Sequence, residues 1–75
     1  FNPISTIEFY IPQIIHVNLK VFDLLGNEVA ELINKEKSAG RHKIDFDASG
    51  LSSGIYFYQL KAGNYIQTRK MMVIK

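Results

Sequence analysis

Apolar and polar residues alternate nearly one for one along this chain, and a period of two is what a strand buried on one face requires. Ile7, Phe9 and Ile11 alternate with Thr6, Glu8 and Tyr10 until Pro12 ends the run. Ile15, Val17, Leu19 and Val21 alternate with His16, Asn18, Lys20 and Phe22. Ile44 and Phe46 alternate with Lys43, Asp45 and Asp47. A helix needs a spacing of three to four, so these runs read as half-buried strands of antiparallel sheets.

Residues with specific turn chemistry separate the runs. Gly26-Asn27 adopts positive φ readily and reverses the chain after Asp23-Leu24-Leu25. Ser38-Ala39-Gly40 closes a polar loop that begins at Lys35, and Gly63-Asn64 is a hairpin signal between 55–62 and 65–74. The segment 27–37 is ambiguous. Its Glu, Ala, Leu and Lys content favours helix, with Val29, Leu32 and Ile33 on one side. Yet Val29, Glu31 and Ile33 also alternate with Ala30, Leu32 and Asn34, and a lone helix of this length is marginal. A strand is expected there. The predicted strands are 5–11, 15–22, 28–34, 42–47, 55–62 and 65–74, with room for a seventh short pairing near Phe1–Pro3. Strands at such short intervals indicate a sandwich or small barrel.

With 75 residues and no cysteine, the core has no disulfide or thiolate-bound metal to staple it. A domain this small holds a margin on the order of 3–5 kcal/mol over chain entropy. The content of 47% hydrophobic, 12% aromatic and 21% charged residues supports a single globular domain over 1–75 rather than a disordered chain. No apolar run is long enough for a transmembrane helix, and no signal segment opens the chain. Because it begins with Phe1 rather than Met, the chain reads as a fragment or processed piece of a longer protein.

The formal charge of +2 is too small to argue for nucleic acid. It is unevenly spread: residues 48–75 carry Lys61, Arg69, Lys70 and Lys75 and no acid. Such a tail attracts anionic partners, or it keeps the outward positions of a last strand soluble.

The stretch DASGLSSGIYFY carries the strongest fold signal. Asp47 is placed to accept from the next turn, Gly50 to take the left-handed conformation, and Leu51 to plug one end of the core. Gly54-Ile55-Tyr56-Phe57-Tyr58 then places Tyr56 as the corner tyrosine of an immunoglobulin-like sandwich, with Tyr58 where such domains carry their second core cysteine. The expected fold is therefore all-β, a small immunoglobulin-like antiparallel β-sandwich of six to seven strands.

Catalytic chemistry finds little to work with. His16 and His42 read as ordinary strand residues, and Asp45 and Asp47 share their face with Lys43, too few carboxylates for a closed cation site. There is no phosphate-binding glycine loop. Phe57 points opposite to Tyr56 and Tyr58, so Tyr10, Tyr56, Phe57, Tyr58 and Tyr65 do not make one stacking platform. Neither an enzyme nor a cofactor is expected.

Several motifs together carry a family resemblance. Phe1-Asn2-Pro3 with Ile7 forms an opening block. Val17, Leu19, Val21, Phe22 and Asp23, then Gly26 and Val29, form a second block. Gly40, His42, Leu51, Gly54, Tyr56 and Tyr58 form a third, closed by Lys70-Met71 and Lys75. In register over essentially the whole chain, they resemble the C-terminal sorting domain of the type IX (Por) secretion system. Ile4 departs from the pattern, where a small polar residue is commoner.

The resemblance implies a non-catalytic signal at the C-terminus of a secreted or surface protein. The cargo would reach the periplasm in transit and end at the cell surface or outside the cell. Implied partners are the type IX outer-membrane translocon and a sortase-like peptidase, with no nucleic acid and no direct membrane insertion. Weak self-association through an edge strand is also expected. The candidate signal-recognition residues are Gly54, Tyr56, Lys70, Met71 and Lys75 at matching positions, with Arg69 in the same basic strand. The alternative is a fibronectin-like or carbohydrate-binding accessory module of a secreted hydrolase.

Overall fold

A computed structural model of the protein describes residues 4–74. Within them the chain forms β1 (Ile4–Ile11), β2 (Ile15–Phe22), β3 (Glu28–Lys37), β4 (Gly40–Asp47), β5 (Gly54–Ala62) and β6 (Tyr65–Val73). The strands make two antiparallel sheets, a smaller one of β1 and β4 and a larger one in the order β3-β2-β5-β6. The connectivity is that of an immunoglobulin-like Greek key, with β5 in the place of strand F. Any pairing at Phe1–Pro3 lies outside the described residues.

Segment 28–37 is a strand, and its helix-like spacing has a physical cause. Ile33 pairs with Leu19, Glu31 with Lys20, Ala30 with Val21 and Glu28 with Phe22, so Leu32 and Val29 are each an extra residue on β3. The bulge at Leu32 puts Ile33 and Ala30, three apart in sequence, opposite the inward residues Leu19 and Val21, and the bulge at Val29 follows before Glu28 meets Phe22. A bulged strand here imitates helical periodicity.

The expected loop from Lys35 to Gly40 is shorter than predicted. β3 continues to Lys37, and Ser38-Ala39 alone crosses to the other sheet. Gly50 also departs from expectation, because its φ is not positive. The turn there closes instead through Leu51 N–H donating to the Ala48 carbonyl at 3.0 Å, and Asp47 Oδ1 accepts from the Ser49 amide at 2.9 Å.

The core holds Ile7 and Ile11 of β1, Val17, Leu19 and Val21 of β2, Ile33, Phe46, Ala48, Tyr56, Leu60, Ala62 and Val73. Ile11, Val17, Leu19 and Val21 are fully buried. Each such side chain contributes about 1.5–3 kcal/mol, which a domain without disulfides needs. Leu51 is half-buried and packs against this cluster, closing one end as expected.

Candidate functional site

The polar residues weighed for chemistry have local structural roles. His16 Nε2 donates to Asn34 Oδ1 across the β2–β3 pair at 2.7 Å. His42 Nε2 donates to the Ser38 carbonyl at 2.7 Å, and its ring stacks on Phe9 with centroids 5.4 Å apart. Asp45 accepts from the Thr6 hydroxyl at 2.8 Å. Among the described residues no group of three or more His, Asp or Glu gathers as metal ligands would.

The Phe-Asp-x-x-Gly motif is a turn device. Asp23 Oδ1 accepts from the amides of Leu25 (3.0 Å) and Asn27 (2.9 Å), while its carbonyl accepts from Gly26 N–H at 3.0 Å. Gly26 completes the reversal at φ 87°. These bonds, that from the Asn27 amide foremost, hold the Asp23 carboxyl below its ordinary value.

The candidate recognition residues fall on different surfaces. Gly54 opens β5 and pairs with Val73 of β6. Tyr56 is buried, pairs with Met71, and donates its hydroxyl to the Ser52 carbonyl at 2.7 Å, the expected corner geometry. Met71 is half-buried and packs on the core. Lys70 pairs with Phe57 and is exposed on the outer face of the larger sheet. Arg69 pairs with Tyr58 on the inner side and is exposed. Lys75 lies outside the described residues.

Two surfaces result. The outer face of the larger sheet has the row Phe22–Phe57–Lys70 across β2, β5 and β6, flanked by the pair Ile55–Met72. Met72 and Ile66 are more than half exposed on it, so the outer face is apolar as well as basic.

The second surface is a cleft of about 780 Å³ between the sheets. It forms because the smaller sheet has two strands and does not cover all of β6. Ile11, Ile15, Leu60 and Ala62 give it an apolar lining, to which Tyr10, Arg41, Tyr65, Gln67 and Arg69 add polar groups. Gln67 sits between two of these. With its carbonyl turned to the guanidinium it accepts from Arg69 Nε (3.0 Å) and Nη2 (2.6 Å), and its amide donates to the Tyr65 hydroxyl at 3.1 Å.

Sequence reasoning missed this cleft. A signal existed, because Tyr65, Gln67 and Arg69 share the inner side of β6 with Met71 and Val73 but are polar where a covered strand is apolar.

The chain matches the family model described as a secretion system C-terminal sorting domain over residues 2–75. No curated protein and no solved structure matches it. The alternative of an accessory module of a hydrolase gains no support. With its blocks in register over nearly every residue, this chain belongs to the family of C-terminal sorting domains of the type IX (Por) secretion system.

Proposed function

We propose that the domain is a non-catalytic address that sends an attached cargo through the periplasm and across the outer membrane. The family assignment makes it a type IX sorting signal, which implies export to the cell surface or secretion. The finer steps are this proposal: it is one domain of a larger secreted protein, it is read by the outer-membrane translocon, and a sortase-like peptidase then acts on it. The observation that carries the reading is the family match over residues 2–75, which takes in all six strands. In this reading the folded sandwich, rather than a short linear tag, is the unit recognised.

Gly54, Tyr56 and Met71 support the corner where β5 begins, while Arg69, Lys70 and Lys75 supply charge that a partner reads. Weak self-association through an edge strand is part of the same reading, since among the described residues β3 and β6 each end the larger sheet. The test is a reporter fused to residues 1–75 in a host with the type IX machinery, with surface and periplasmic fractions compared. Surface delivery that requires the domain supports the reading, and equal delivery without it overturns it.

A further inference from the structure

We propose that the cleft between β1 and β6 binds an extended acidic peptide, which adds as a third strand to the free edge of β1. This goes beyond the export role and does not depend on it.

The edge comes first. Among the described residues β1 pairs only with β4, so on its other side every second residue directs its N–H and C=O away from the sheet. The cleft lies on that side. Its lining includes β1 residues 8–11 and residues 60, 62, 65, 67 and 69 of β5 and β6, but only Arg41 from β4. A strand laid along the edge of β1 would therefore lie over the inner side of β6. Its alternate side chains, about 7 Å apart, would point down onto Tyr65, Gln67 and Arg69. A two-stranded sheet is marginal by itself and gains from a third strand.

Charge selects the occupant. The charged lining residues are Glu8, Arg41 and Arg69. Glu8 faces Lys43 at 3.9 Å and is offset by it. Arg41 and Arg69 have no carboxylate partner among the described residues, and Arg69 is bonded to a neutral amide. Two guanidinium groups without a carboxylate partner among the described residues, at a strand-accepting groove, suit carboxylates, which they bind in a bidentate fork. A second copy of this chain fits less well. It carries the same positive charge, and the inward side chains of its β1, Ile7 and Ile11, are already buried in its own core.

The probe is a capped octapeptide of alternating Thr and Glu, compared with its Thr-Lys counterpart, by amide NMR titration of the 75-residue chain. The acidic peptide is expected to bind about tenfold more tightly, because each exposed ion pair adds modestly and each like pair subtracts. Shifts should concentrate in residues 6–13 and 65–69. R41E with R69E should reverse the preference, and N-methylation of alternate peptide residues should abolish binding by blocking strand pairing. That last arm alters only the peptide, so it decides the matter even if the double variant unfolds. Equal binding of the two peptides, shifts centred on β3 or β4, or undiminished binding of the N-methylated peptide would each overturn the proposal. So would concentration-dependent dimerisation mapped to β1, which would make a second copy the occupant. Export of the reporter fusion is a separate measurement, and neither result forces the other.

Discussion

The Tyr56 hydroxyl donates to the carbonyl of Ser52 at 2.7 Å, tying the first turn of β5 to the loop that brings the chain back from the smaller sheet. The ring is 8% exposed, so apolar packing and a hydrogen bond act at one residue. Tyr56→Phe keeps the packing and loses the bond, and is expected to cost about 0.5–1.5 kcal/mol in urea unfolding. Tyr56→Ala is expected to cost about 3–5 kcal/mol. That is on the order of the whole margin of a domain this size, so the variant should lack dispersed amide NMR signals.

Gly63 and Gly50 should respond oppositely to alanine. At Gly63 φ is +60°, and an added Cβ would lie 2.6 Å from Cδ1 of Ile15. Gly63→Ala is expected to lower stability by about 1–2 kcal/mol from backbone strain, plus whatever Ile15 needs to move aside. Ile15→Val removes that Cδ1, so a double-mutant cycle should show favourable coupling. Gly50 has no positive φ and open space about it. Gly50→Ala is expected to raise stability by up to about 1 kcal/mol, through a less flexible unfolded chain. Thermal and urea midpoints check both.

The Asp23 turn sets an acid limit. Its carboxyl is held below the ordinary value of 3.8, first by the Asn27 backbone amide. The folded state therefore prefers the carboxylate more than the unfolded chain does. The stabilisation is fully present above the ordinary aspartate range and is lost as pH falls through the lowered value. Asp23→Ala is expected to lower the unfolding midpoint at neutral pH, with the deficit shrinking below about pH 4. A carboxyl-carbon NMR titration should place the Asp23 midpoint under the ordinary range.

Lys70 tests whether the basic outer face is read. It is exposed and paired with Phe57 on β6. Lys70→Glu with Lys75→Glu is expected to change stability within about 0.5 kcal/mol, yet leave the reporter fusion in the periplasm. Deleting residues 65–75 removes β6, with Met71 and Val73 from the core, and should abolish folding and export together. Normal surface delivery of the charge-reversed fusion would show that these lysines are not read.

Much of the fold is local and legible in the sequence. Alternation about Val17, Leu19 and Val21 yields a strand because only that conformation puts all three on one face. Asp23 with Gly26, and Gly63-Asn64, mark the two hairpins because few other residues supply the required acceptor or positive φ. Tyr56 marked the corner, and the ordered blocks marked the family. Other features depend on partners far away in the chain. The β3 bulge at Leu32 exists because Ile33 and Ala30 must both meet β2 on its inner side, and that pairing is invisible in a helix-like spacing. The pairing of β1 with β4 rather than with its neighbour β2 joins residues such as Ile4 and Asp47, and only packing between two sheets selects it. The cleft follows from that choice. A described sheet of two strands facing one of four leaves the inner side of β6 uncovered from Tyr65 to Arg69, while Met71 and Val73 pack on the core, and so the tertiary structure, not the sequence, made Arg69 a cleft residue and Lys70 an outer one.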